Sequence, residues 1–327
     1  MAGLIKLLLA VLITFAVSLS LGPLTIQILH RLKFGQSIRN DGPQSHLKKA
    51  GTPTMGGILI MVSLIAGLAA ADIFTPEVRW VLFLTISFGL IGLVDDLIIV
   101  VAKRSLGLKA RQKLFAQIVL AGFVAAFMVQ GGFPNAQLVP FTNLSLTFPN
   151  FGFGNPLFFV YTVFVIVAIS NAVNLTDGLD GLASGTTAFA ALAFGALAFL
   201  QGHPSLGALS VILASACFGF IWFNGPPAQV FMGDTGSLAL GAALAGIALF
   251  SQLSLFFLII GGIFVSETLS VVIQVISFKT SGKRVFRMSP LHHHFELGGM
   301  LEPKIMIRFW MVGVVLGIVG ILGYLVK

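Results

Sequence analysis

Most of the chain reads as long unbroken hydrophobic runs, with polar residues confined to short islands between them. An apolar run of about 20 residues crosses a bilayer as a helix. Ten runs qualify, near residues 4–29, 55–73, 80–98, 114–132, 156–173, 185–201, 206–223, 236–250, 255–277 and 306–326. Turns rich in Gly, Pro and Asn separate them, and the eighth is the short one. The pattern predicts an all-α integral membrane protein, with residues 1–327 forming one polytopic membrane domain. In the long loop between the fourth and fifth spans, 137–140 and 144–148 read as the arms of a short outer β-hairpin.

Charge gives the spans a direction. Of the 19 Lys and Arg residues, all but Lys6, Arg79 and Lys327 fall in one set of alternate loops. The positive-inside rule puts that set in the cytoplasm and both termini outside. Composition agrees: 57% of residues are hydrophobic and 9% charged, against about 25% charged in soluble domains. The net charge of +8 then serves topology and contact with anionic membrane lipid rather than nucleic acid. The run Leu7–Leu29 has no small-residue cleavage site after it, so it reads as a span and not a signal peptide. Cys217, the single cysteine, lies in an apolar run and reads as a small buried residue.

The densest polar island is Asn171–Gly181, with two carboxylates, two amides and two glycines wedged between apolar runs. Polar groups held at such depth are costly and mark function. If the island is helical, Asp177 and Asp180 share a face, while Gly178 and Gly181 favour a bent backbone that a ligand approaches closely. Asp95 and Asp96 end the third span. Successive helical residues point about 100° apart, so this pair does not simply chelate one ion; one faces substrate and the other a neighbouring helix. Asn224-Gly-Pro-Pro227 breaks the chain ahead of Phe231–Ser237, where Asp234 and Ser237 reach a ligand at the start of the eighth helix. Phe231 is either core packing or a stacking surface for a flat base.

Two further islands are basic. Lys48–Gly57 reads equally as a tight helix entry with Pro53 in its first turn and as an anion contact through two lysines and free backbone N–H groups. Ser289–Gly298 holds His292, His293 and His294 in a row. Zinc favours spaced ligands, so a phosphate-facing or proton-shuttling role suits these histidines better. Asp95, Asp96, Asp177, Asp180 and Asp234 all converge on the cytoplasmic face, which requires a cation or basic groups among them.

Taken in order, Thr52–Gly57, Asp95-Asp96, Asn171–Gly181, Phe231–Ser237 and Ser289–Gly298 resemble the polyprenyl-phosphate N-acetylhexosamine-1-phosphate transferases, essentially end to end. Within that superfamily the resemblance is strongest to the bacterial phospho-N-acetylmuramoyl-pentapeptide transferases. It implies Mg²⁺-dependent transfer of phospho-MurNAc-pentapeptide from UDP-MurNAc-pentapeptide to undecaprenyl phosphate, giving lipid I and UMP at the bacterial plasma membrane. Uridine-based nucleoside inhibitors and a second copy of the chain, in a homodimer, are the other implied partners. By the same resemblance Asp95 is base or nucleophile, Asp96 supports the site and Asp234 is the Mg²⁺ ligand. Asn174 and Asp177 meet the ribosyl region, Asp180 and Phe231 hold the uracil, and Lys49 and Thr54 lie near the nucleoside. His292 and His293 match essential loop histidines, while Asn171, Gly178, Leu179, Asn224, Ser237 and His294 complete the substrate site.

Two positions depart from the family pattern. Ile99 stands where a Lys is usual, leaving Lys103, Arg111 and Lys113 as substitutes, and Met300 replaces a Trp. Two other readings accompany this one. A related transferase that loads N-acetylglucosamine phosphate shares the acidic motifs but usually carries a different histidine loop. An ion-coupled transporter fits intramembrane acids and glycine breaks, but not the gathering of acids at one face without an internal repeat.

Overall fold

The structure is a computed structural model that describes residues 2–32, 49, 51–102, 107–150 and 154–326. Lys33, Arg39, Lys48, Lys103, Arg104 and Lys327 of the charge pattern lie outside the described residues. The helices are α1 (Ala2–Arg31), α2 (Gly57–Ala71), α3 (Pro76–Val101), α4 (Ala110–Gln130), α5 (Pro156–Thr176) and α6 (Leu182–Leu200). They continue with α7 (Pro204–Asn224), α8 (Gly233–Phe250), α9 (Phe257–Ile260), α10 (Gly262–Ser281), α11 (Leu291–Glu296) and α12 (Glu302–Leu325). Among the described residues nine helices are long and apolar enough to cross a membrane. The chain is a multi-pass, all-α membrane protein.

Three expectations need correction. The short span is the second, not the eighth: α2 has 15 residues, roughly 22 Å at 1.5 Å per residue, whereas α8 has 18. Both ends of α2 are fixed by backbone bonds. Gly56 and Gly57 donate to the carbonyls of Phe231 and Met232 at 2.9 and 3.0 Å, and Asp72 stops the helix in the left-handed region at φ 56°. The ninth span is not one helix. A 3₁₀ turn, Ser254–Phe256, leads into α9, and Gly261 breaks the path before α10. The hairpin arms are shorter than read: β1 (Ala136–Leu138) pairs antiparallel with β2 (Ser145–Thr147), Gln137 opposite Leu146. Pro140 has no N–H to give, and Phe141 turns the chain at φ 61°.

The packing sorts the helix ends into two sets. Ser215 donates to the Val11 carbonyl, and Gly22 lies against Phe223, so α1 and α7 run the same way. Phe141, beyond β1, donates to Gly323 near the end of α12. The start of α1, the strand pair and the end of α12 therefore share the end of the bundle opposite Asp95, Asp96, Asp177, Asp180 and Asp234. The described lysines and arginines follow the acids, except Lys6 and Arg79.

At the centre stands α8, buried continuously from Thr235 to Phe250 and built of Gly, Ala, Ser, Leu and similar small or apolar residues. Lipid gives no hydrophobic drive for one helix to bury against another, so close backbone approach through small residues has to supply the contact. Gly57 of α2 sits on Gly236, and Gly92 of α3 sits on the Asp234 carbonyl; a Cβ at either glycine would overlap backbone atoms. The outer helices α1, α4, α10 and α12 carry exposed Leu, Ile, Val and Phe. That surface would aggregate in water and suits acyl chains.

Gly92→Ala is accordingly expected to cost about 1–3 kcal/mol, the usual scale of overpacking. Nothing lies within 4 Å of a Cβ built on Gly313, so Gly313→Ala is expected to stay within about 0.5 kcal/mol. Thermal unfolding of the purified protein in detergent compares the two; a Gly92→Ala midpoint equal to that of Gly313→Ala contradicts the close α3–α8 contact.

Candidate active site

Asp95 and Asp96 reach the polar end of the bundle on α3, both 4% exposed. They diverge, as neighbours on a helix must. Asp96 turns to α8: its Oδ1 accepts the Asp234 N–H at 3.2 Å, and its Oδ2 accepts the Thr235 N–H at 3.0 Å and the Thr235 hydroxyl at 2.7 Å. A helix leaves its first N–H groups unpaired, and its dipole favours an anion there. Asp96 therefore caps α8 from a different helix. Gly233, at φ 71°, makes the entry turn, with Asp96 and Thr54 packed where a Cβ would stand.

Asp95 turns the other way, its Oδ1 accepting the Leu108 N–H at 2.8 Å with Lys113 Nζ 3.4 Å off. Lys113, on α4, also pairs with Asp234 Oδ2. Asn174 donates to Asp234 Oδ1 and to Ser237 Oγ, each at 2.8 Å, and Ser237 in turn donates to the Gly233 carbonyl at 3.0 Å. For all the divergence on α3, one oxygen each of Asp95, Asp96 and Asp234 lie within 4.8 Å of one another. Three carboxylate oxygens in that space are a donor set for a hard divalent cation. Of the three basic residues open at the Ile99 departure, Lys113 is the one in this cluster; Arg111 is exposed and Lys103 lies outside the described residues.

Between α5 and α6, Asp177–Gly181 forms a turn, so Asp177 and Asp180 do not share a helical face. Gly181, at φ 72°, gives its N–H to Asn224 Oδ1 at 3.0 Å and accepts Trp310 Nε1 at 3.2 Å. Asn224 also donates to the Val230 carbonyl at 2.9 Å, tying the turn to the loop ahead of Phe231. Asp180 is buried; its oxygens hold Lys49 Nζ at 2.7 Å and the Ala228 N–H at 3.0 Å. Glu302 Oε1 completes this network, receiving the Asp180 N–H at 2.7 Å and Lys49 Nζ at 2.6 Å.

Asp177 is half-buried; its N–H donates to the Asn174 carbonyl at 3.2 Å, and its carboxylate has no hydrogen-bond partner among the described residues. Burial first, then the charges of Asp234, Asp96 and Asp180, push its carboxyl well above the usual carboxylate range. Leu179 turns into an apolar cluster with Leu182, Ile263, Ile305 and Phe309. Asn171, deeper in α5, donates to Gln117 Oε1 of α4 at 2.7 Å and to the Val167 carbonyl at 2.8 Å.

Phe231 is clipped by its backbone, the N–H donating to Pro53 at 2.8 Å and the carbonyl accepting from Gly56 at 2.9 Å. Its half-buried ring makes no ring-to-ring contact among the described residues, in contrast to Phe127, Phe133 and Phe148. On α11, His292 is 1% exposed and packs against Gly178. His293 Nδ1 lies 3.0 Å from Glu296, and His294 Nδ1 accepts the Arg287 N–H at 3.2 Å.

Two acids at this end escape a reading of the polar islands: Glu302, in the Lys49–Asp180 network, and Glu267, whose carboxylate receives the His292 N–H. Glu267 had a signal, as a carboxylate inside an apolar span. Glu302, at the first residue of α12, had none beyond its position.

Known proteins share much of this sequence. The pattern of glycosyl transferase family 4 matches residues 78–252, and signature 1 of the phospho-N-acetylmuramoyl-pentapeptide-transferases matches residues 49–61. A phospho-N-acetylmuramoyl-pentapeptide-transferase of Geobacillus sp. (strain WCH70) is 51% identical over 318 residues, covering 96% of each chain. The protein of that name from Bacillus subtilis (strain 168) is 48% identical over 319 residues, 96% of this chain and 97% of its own. That from Desulforamulus reducens is 50% identical over 316 residues, 95% of this chain and 93% of its own. Such identity extends over nearly the whole chain, and the chain belongs to the phospho-N-acetylmuramoyl-pentapeptide-transferase family.

Proposed function

We propose that the protein transfers phospho-MurNAc-pentapeptide from UDP-MurNAc-pentapeptide to undecaprenyl phosphate, leaving lipid I in the bacterial inner membrane and releasing UMP. The observation that carries this reading is the meeting of Asp95, Asp96, Asp234 and Lys113 at one end of a membrane bundle. The positive-inside rule assigns that end to the cytoplasm, where a soluble nucleotide donor meets a lipid headgroup. A transporter would place such acids near the midplane.

The reaction forms a P–O bond between the lipid phosphate and the sugar-bearing phosphorus, and breaks the P–O bond to UMP. Asp95 acts on the lipid phosphate as base, taking a proton from the attacking oxygen. Asp234 would hold Mg²⁺, with oxygens of Asp95 and Asp96 within reach, and the bound ion would supply charge neutralisation to the diphosphate. Asp96 spends its lone pairs on the start of α8 and so fixes where Asp234 stands. Lys113 adds a fixed positive charge beside the reacting phosphates, the role left open by Ile99.

On the donor side, Phe231 offers a ring held by its own backbone, ready to stack on uracil. Asp180, set by Lys49, Glu302 and the Ala228 N–H, reads the base edge, and Asn174 and Asp177 meet the ribosyl region. Thr54 lies beside the Gly233 turn at the start of α8, and His292 and His293 face the phosphates.

UMP release measured with UDP-MurNAc-pentapeptide and with UDP-N-acetylglucosamine tests the reading; only the first is expected to serve as donor. In the same assay Asp234→Asn is expected to lower the rate by at least about 10²-fold, the scale of a lost charge-stabilising group, with no recovery at high Mg²⁺. A folded variant of normal rate removes Asp234 from the metal site.

Phe231→Ala is expected to weaken donor binding by roughly 1–3 kcal/mol, the range for base stacking on an aromatic ring. Unchanged affinity for donor and for a uridine-based inhibitor returns Phe231 to packing.

The raised carboxyl of Asp177 gives a third prediction, with its sign. Below the usual carboxylate pKa of about 4, Asp177 is protonated in the folded and the unfolded chain and costs nothing. Above it the unfolded chain sheds the proton readily and the folded chain does not, so ionisation subtracts stability as pH rises. Asp177→Asn is therefore expected to melt higher than the wild type at neutral pH without Mg²⁺, and the gap to close towards pH about 4. Melting curves across that range measure it; a variant that is less stable at neutral pH contradicts the repulsion.

A further inference from the structure

Glu267 is wholly buried in α10. Its carboxylate makes hydrogen bonds with one group among the described residues, the backbone N–H of His292, at 3.1 Å to Oε1 and 3.3 Å to Oε2. No described Lys or Arg pairs with it. The His292 ring lies alongside, Nδ1 3.2 Å from Glu267 Oε1 but not aligned on it as a hydrogen bond. Nε2 stands over Gly178, where a Cβ would overlap the ring. Among the described residues neither ring nitrogen has a hydrogen-bond partner, and the side chain is 1% exposed.

A buried carboxylate without a counter-charge is costly, and so is a buried ring with two unpaired nitrogens. One arrangement relieves both. With its proton on Nδ1, His292 donates to Glu267 after a small ring rotation, and Nε2 is left for a group arriving beside the Asp177–Gly178 turn. Carboxylates behind histidines set the tautomer and ring orientation in this way.

We propose that Glu267 is a positioning residue: it holds His292 with Nδ1–H towards α10, and the ring, carrying a proton on Nε2 as well when the anionic donor is bound, gives Nε2–H beside the Asp177–Gly178 turn to the diphosphate oxygen that leaves with UMP, where charge develops in the transition state. This rests on the transfer reaction proposed above. A purely structural role is the competing account, since the same carboxylate caps the start of α11. Glu267→Gln separates the two, because its amide oxygen still accepts the His292 N–H while the charge is gone.

The experiment is a double-mutant cycle on the full-length protein in detergent, reading kcat for UMP release and donor affinity by calorimetry. Glu267→Gln is expected to lower kcat about 10–100-fold, the range for carboxylates that orient metal-binding histidines. Donor affinity is expected to stay within about twofold, since a loss confined to kcat marks the transition state. Added to His292→Gln, it is expected to cost nothing further, because coupled residues do not add. Glu267→Asp, which keeps the charge but not the shape, is expected to outperform Glu267→Gln.

A wild-type kcat in Glu267→Gln, a full additive loss in the double variant, or Gln outperforming Asp each overturns the proposal. Should Glu267→Gln fail to fold, ¹⁵N-histidine NMR of the wild-type protein decides: a proton on Nδ1 of His292 supports it, and a proton on Nε2 alone overturns it. If the wild-type protein releases no UMP, the transfer reading falls, and the tautomer still tests the Glu267–His292 contact by itself.

Discussion

Asp96 and the first turn of α8 hold each other in place, and the site depends on that contact. A carboxylate buried in an apolar bundle has to find donors, and a helix starting inside the protein has to find acceptors. Asp96 meets both needs with three hydrogen bonds. It does so because Gly92 lets α3 approach the Asp234 carbonyl and Gly233 turns the chain at φ 71°. Asp234 then stands where Lys113 and Asn174 reach it from α4 and α5. The backbone bonds between 53–57 and 231–232 bring Thr54 and Phe231 to the same place.

Electrostatics there is deliberately incomplete. Lys49 answers Asp180 and Glu302, and Lys113 answers Asp95 and Asp234. Asp177 has no such partner among the described residues, and burial, with the charges of Asp234, Asp96 and Asp180 behind it, raises its pKa. A site that keeps surplus negative charge beside lysines and histidines suits a ligand that arrives as a cation together with phosphates. Groups fixed before the substrate comes need no reorganisation as charge develops, and the repulsion among them is stability given up for function.

The polar islands mix residues that act with residues that hold. Asn224 spends its amide on Gly181, Ser184 and Val230, Leu179 packs with Ile305 and Phe309, and His294 accepts from Arg287. Each shapes a loop that carries an acting neighbour.

Hydrophobic runs and lysine–arginine asymmetry were enough to establish, from the chain alone, a multi-pass helical membrane protein and the end that bears the acids. Both signals are local, since a span is a stretch of apolar residues and a loop is read by its own charges. The polar residues that meet at that end stood out for the same reason, as groups too costly to sit among apolar runs without a partner or a use. Helix lengths were less so: α2 is stopped by backbone bonds to residues 231 and 232, and the ninth span breaks at Gly261. Only the tertiary structure could choose Lys113 over Arg111 at the acids, show Asp96 as a helix cap, and bring Glu302 to Lys49 and Glu267 to His292. Those choices join residues between 18 and 253 positions apart, and the partner of a buried charge is set by which helices pack together, which no local pattern encodes.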